Sequence, residues 1–145
     1  MATTTTTRLL RLTSVVAGVH GVMHTIGGVF GHAAPGPQQL AVAAMQSNRF
    51  VAMGVSRTYW DYYFGYGLFV SAYFALVTVL LWQMSNIART HAALLRPLLL
   101  TLAAIFVLTA CIAGRYFFAG PMAMELVMAA LLLAAWWKAE PASAA

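Results

Sequence analysis

Apolar residues in this chain gather in long blocks, at 9–31, 59–82, 98–118 and 122–137. An α-helix rises 1.5 Å per residue, so about 20 apolar residues cross the roughly 30 Å hydrocarbon core of a bilayer. Three of the blocks reach that length and the fourth is shorter. Between them lie backbone breakers: Ala33-Ala34-Pro35-Gly36-Pro37, Ser85-Asn86, Arg96-Pro97 and Gly120-Pro121. The pattern predicts an all-α integral membrane four-helix bundle, one domain of antiparallel up-down spans. A short interfacial helix is predicted to start at Pro37 in the first loop, because proline suits the first helical position. The head (1–7), a threonine run, and the tail (140–145) have little to bury and are expected to be loose.

Periodicity within the blocks says which sides meet protein. At 100° per residue, Thr13, Ala17, His20, Gly21, His24, Gly27, Gly28 and Gly31 share one face of the first helix. Leu12, Val15, Val19, Val22, Ile26 and Phe30 share the other. The small, polar face should look inward, and Gly27 with Gly31 forms a GxxxG pair suited to close helix packing. In the second block Arg57, Asp61, Gly65, Ala72 and Ala75 line one side, with Arg57 and Asp61 one turn apart as a potential ion pair; Tyr62, Tyr66 and Tyr73 lie on a neighbouring side. In the third, Arg115 follows Cys111 by one turn, beside Tyr116. Glu125, just inside the fourth, needs a partner, and Arg115 is the nearest across the predicted hairpin. Antiparallel spans thus collect His24, His32, Arg57, Asp61, Arg115, Tyr116 and Glu125 at one end, and His20 joins them as a candidate pocket residue on the first helix. This predicts a polar pocket in one leaflet under the first loop, with His24 deepest.

Composition strengthens the membrane reading. Hydrophobic residues make up 62% of the chain and charged residues 8%, and mean hydropathy is +0.81; a soluble domain is only about 45–50% apolar and roughly 25% charged. The net charge of +5 is dispersed between blocks, which argues against nucleic acid and for charges that set topology. With the amino terminus inside, Arg8, Arg11, Arg89, Arg96 and Lys138 are cytoplasmic while Arg49, Arg57 and Arg115 are external, so both termini are expected inside. Trp82, Trp136 and Trp137 then mark the inner boundary, and Tyr59, Trp60, Tyr62 and Tyr63 the outer. The first block also resembles a cleavable signal peptide, although its length and its internal histidines argue against that. The single cysteine, Cys111, rules out an internal disulfide or a CxxC redox pair.

Several chemistries fit the pocket. Histidine with carboxylates can relay a proton to a lipophilic substrate. His20 and His24, at i and i+4, can present two imidazoles to a metal, but this spacing also arises in ordinary packed helices; no metal and no cofactor are assigned. Asp61 or Glu125 can carry a proton in a small transporter acting as a homo-oligomer, yet small multidrug transporters place a glutamate in the first span, where this chain has histidines. Membrane glutathione transferases differ at Arg57-Thr58-Tyr59-Trp60-Asp61. His24-Thr25-Ile26-Gly27-Gly28 and the stretch Ser56-Arg57-Thr58-Tyr59-Trp60-Asp61-Tyr62-Tyr63-Phe64-Gly65-Tyr66-Gly67, about an eighth of the chain, resemble small four-span bacterial membrane proteins of the DoxX-like kind. The resemblance implies the bacterial inner membrane and brings no reaction with it. Three functions stand open: a site that binds or transforms a small lipophilic molecule, a structural or interaction protein with self-satisfied polar groups, and a proton-coupled transporter.

Overall fold

The computed structural model describes residues 2–139, so the tail lies outside the described residues. Helices dominate: α1 (Ala2–Met23) running into a π-helical segment (His24–Val29), α2 (Pro37–Ser47), α3 (Tyr59–His91), α4 (Arg96–Tyr116) and α5 (Ala119–Lys138). A two-stranded hairpin, β1 (Arg49–Ala52) and β2 (Val55–Thr58), precedes α3. Three helical segments, Thr4–Val29, Tyr59–Tyr116 and Ala119–Lys138, are long and apolar enough to cross a membrane. The middle one is broken by a 3-10 turn at Ala92–Leu95.

Several boundaries differ from expectation. The threonine run is helical, not loose, with Thr6 and Thr7 buried. Ser85-Asn86 does not end α3: the buried Ser85 hydroxyl donates to the Trp82 carbonyl at 2.6 Å, and the helix runs on to His91. The break comes just before Pro97, which lacks an N–H and sits in the first turn of α4. Gly120-Pro121 likewise falls inside the first turn of α5, and Phe117-Phe118 makes the α4–α5 connection.

The chain packs as two compact units. The first comprises the described residues to His20 and those from Phe74 onward. Its interior holds Leu10, Phe74, Leu81, Leu99, Phe106, Met128 and Leu132 among many alanines: Ala17, Ala88, Ala103, Ala110, Ala113, Ala129 and Ala135. Alanine lets helix backbones approach closely, as packing in lipid requires. Larger apolar side chains, including Leu12, Val15, Val19, Leu98, Leu108 and Leu133, face outward. Ser14 ties α1 to α3 by donating to the Thr78 carbonyl at 2.7 Å. At the carboxyl end of α5, Arg96 Nη1 donates to the carbonyls of Trp136 (3.1 Å) and Ala139 (2.8 Å), and its guanidinium lies 4.6 Å over the Trp136 ring. A cation there satisfies carbonyls that the helix leaves open and complements its dipole.

The second unit, Gly21–Tyr73, contains the π segment, α2, the hairpin and the first part of α3. Helix α2 starts at Pro37 as predicted and buries no residue. The hairpin is absent from the sequence prediction. Its two-residue loop, Met53 (φ 51°) and Gly54 (φ 82°), places both turn residues in the left-handed region, the type I′ geometry usually signalled by Asn-Gly. Methionine at the first position hides it. Phe50 of β1, paired with Arg57, packs on Tyr59 and Tyr62 at centroid distances of 4.7 and 5.4 Å.

Arg96→Ala should lower the stability of the detergent-solubilised protein by about 2 kcal/mol, since charge-assisted hydrogen bonds are worth roughly 1.5–3 kcal/mol. Arg96→Lys, with one point charge in place of a fork of donors, should recover only part of the loss in a thermal melt.

Candidate functional site

The most enclosed ionisable pair in the first unit joins two helices far apart in sequence. Glu125 shares its helix face with Met128, Ala129 and Leu132, so its carboxyl points into the core and is only 6% exposed. Six residues, or about 9 Å, separate it from the start of α5. Its Oε2 accepts a 2.8 Å hydrogen bond from Thr109 Oγ1 of α4, and its Oε1 lies 3.7 Å from His20 Nδ1 of α1. The His20 ring, 7% exposed, packs against Phe74 of α3 with centroids 4.4 Å apart. Four helices each contribute one side chain.

Thr109 gives this cluster a choice. Its hydroxyl is within 3.1 Å of the carbonyls of Ile105 and Phe106 as well as 2.8 Å from Glu125, yet it has one proton to donate. It can donate to an ionised carboxylate, or donate to its own helix and accept from a protonated one. The hydroxyl can therefore satisfy the carboxyl in either protonation state.

The predicted partner for Glu125, Arg115, is exposed, and its guanidinium lies 5.3 Å from the ring of exposed Tyr116. The cause is helical phase. Phe106, Ala110 and Ala113 mark the inner face of α4, and Arg115 is about 200° from Ala113. Thr109 and Phe74 were not singled out from sequence, although Thr109 is in phase with Phe106 and Ala113 and could have been found that way.

His24, His32, Arg57 and Asp61 belong to the second unit. Arg57 and Asp61 form no ion pair; the two hold separate local bonds. Asp61 Oδ2 accepts from the Thr58 N–H at 2.7 Å while the Asp61 N–H donates to Thr58 Oγ1 at 3.1 Å, a reciprocal capping box that starts α3. Arg57 donates to the Ser56 carbonyl at 3.1 Å. His32 is exposed. His24 Nε2 donates to the Gly67 carbonyl at 3.1 Å, which also accepts from Ser71 Oγ, itself bonded to Thr25 Oγ1 at 2.8 Å.

That network sits at the π segment, which also explains where the face prediction fails. Thr13, Ala17, His20 and Gly21 are buried as expected. Beyond His24 the wider turn, in which the Phe30 N–H reaches back to the Thr25 carbonyl, advances the buried position to Val29, and Gly27 and Gly28 are exposed. The GxxxG pair is consequently no packing seam. A Cβ on Gly27 would meet nothing within 4 Å, and one on Gly31 would collide with the Gly27 carbonyl oxygen of its own turn. The close approach falls instead at Gly67, where a Cβ would come within 3.0 Å of Val29. Among the described residues no three His, Cys, Asp or Glu side chains come together as metal ligands would.

Gly31→Ala should destabilise the protein by more than about 2 kcal/mol because backbone must move to admit the methyl group. Gly27→Ala should be neutral or stabilising by up to about 1 kcal/mol. Equal effects in denaturation of the two variants would contradict the π-helical geometry. Compared with protein-family models, with curated proteins and with solved structures, the chain matches none.

Proposed function

We propose that this chain is a four-span integral membrane protein of the bacterial inner membrane, with both termini cytoplasmic, that takes up and releases a proton at His20–Glu125 as it handles a small lipophilic molecule. The four-span count is supported by the 3-10 turn at Ala92–Leu95, which divides the 58-residue apolar segment into two helices each long enough to cross. The orientation rests on the dispersed arginines. One observation carries the functional reading: a buried carboxyl and imidazole, 3.7 Å apart, are enclosed by side chains from four helices. Ionisable groups within spans are expensive to bury, and those present commonly lie on ion or proton routes. A lipophilic solute suits a protein whose outward surface is mainly large apolar side chains.

A structural alternative has its own support, since the Thr109–Glu125 bond also clamps α4 to α5. Infrared difference spectroscopy on the reconstituted protein separates the two. The proton-site reading expects a carboxylic C=O band that responds to a change of pH between about 4 and 9, disappears in Glu125→Gln and shifts in frequency in Thr109→Val. Adding lipophilic solutes should release protons to an external dye from the wild type and not from Glu125→Gln. A band insensitive to both pH and solute, with full stability retained in Glu125→Gln, would leave only the clamp.

A further inference from the structure

On the second unit, a groove of about 270 Å³ runs along α3, lined by Arg57, Asp61, Tyr62, Gly65, Tyr66 and Phe69. Its ends differ in chemistry. Arg57 and Asp61 stand where the hairpin passes into α3, and Phe69 lies two turns, or about 12 Å, further along the helix than Asp61. Gly65 leaves the floor bare, because a Cβ there would meet nothing within 4 Å. Tyr62 and Tyr66, with centroids 6.4 Å apart, supply aromatic surface beside it.

The charged end carries both signs, on side chains that hold separate local hydrogen bonds. Arg57 uses Nη1 on the neighbouring Ser56 carbonyl, leaving further guanidinium donors available. Asp61 engages the Thr58 N–H through Oδ2, which leaves Oδ1 to accept. A ligand matching this groove has an anionic group for the arginine, an amine for the aspartate and an apolar body to lie over Gly65 towards Phe69. We propose that the groove binds a zwitterionic aminophospholipid, with phosphate on Arg57, ammonium on Asp61 and the glycerol end of an acyl chain along Gly65 and Phe69. The order of polarity along α3, charged at its start and apolar deeper in, is that of a phospholipid entering from the interface. The inference rests on α3 spanning the bilayer and not on the proton site; resistance of the membrane-bound protein to carbonate extraction tests the span separately.

The test uses the full chain in nanodiscs of equal phosphatidylethanolamine and phosphatidylglycerol, transferred to detergent and examined by native mass spectrometry. The wild type should retain one phosphatidylethanolamine in preference to phosphatidylglycerol by about tenfold, the discrimination expected of one well-placed charged contact. Gly65→Leu, whose Cβ meets nothing within 4 Å and whose remaining carbons occupy the groove, should lose the lipid while keeping its helical circular dichroism. Arg57→Gln should lose it too and serves as the second variant if Gly65→Leu misfolds. Asp61→Asn, which keeps a side-chain oxygen for the cap, should bind both lipids equally. Equal retention of the two lipids by the wild type, no retention, or wild-type retention in both Gly65→Leu and Arg57→Gln would overturn the proposal. Displacement by soluble phosphoethanolamine at equal concentration would overturn the lipid assignment in favour of a water-soluble ligand.

Discussion

Glu125 is the group around which the first unit is arranged. A carboxyl on the inner face of an apolar helix cannot reach water by extending its side chain, so other helices must answer it. Thr109 does so through a short hydrogen bond, and His20 brings an imidazole to the other oxygen. Such contacts need backbones close together, which accounts for the alanines at 110, 113 and 129 on the same two helices. Phe74 closes the remaining side against the imidazole. Alanines where helices meet and large apolar side chains on the outside suit a bilayer for a related reason: lipid accepts a leucine as readily as a core does.

The second unit meets the same demand with backbone groups. A π-helical turn perturbs the regular carbonyl ladder, and polar side chains collect beside it. His24 and Ser71 converge on the Gly67 carbonyl, and Thr25 reaches Ser71. The absence of a side chain on Gly67 lets Val29 come close. At the start of α3 the donors exposed by a helix end are handled locally, by Thr58 and Asp61 in reciprocal bonds. Asp61 thus has a structural task before any other, and Asp61→Asn is a gentler probe than Asp61→Ala.

Hydropathy made the apolar helices legible, because block length depends on bilayer thickness and not on tertiary detail. The inward face of α1 was also legible as far as His20 and Gly21. It failed beyond His24 because a π turn adds a residue that no 3.6-residue template anticipates, and nothing in His24-Thr25-Ile26-Gly27-Gly28 announces it except a density of glycine. Pro97 and Pro37 marked helix starts correctly, since a missing N–H acts locally. Ser85-Asn86 misled because serine can return its hydroxyl to its own helix. The hairpin escaped notice because Met53 occupies a left-handed position usually given to asparagine or glycine. For the site, sequence identified Glu125 and His20 as ionisable groups in spans but chose Arg115 as partner by proximity in the chain. Helical phase, which excludes Arg115 and admits Thr109, was available and is the better guide.

Thr109 also bears on whether the buried pair can be more than a clamp. Beside a rigid donor a carboxyl can take its proton only on the oxygen turned away, since a proton on the facing oxygen would set two donors against each other. A hydroxyl that can turn from Glu125 to the carbonyls of Ile105 or Phe106 removes that conflict without moving a helix. In an apolar interior such a rotor lets both protonation states remain satisfied. A backbone N–H at the same place would clamp α4 to α5 equally well and would lack this freedom. A hydroxyl beside the carboxyl therefore suits the proposed proton site as well as a clamp between α4 and α5.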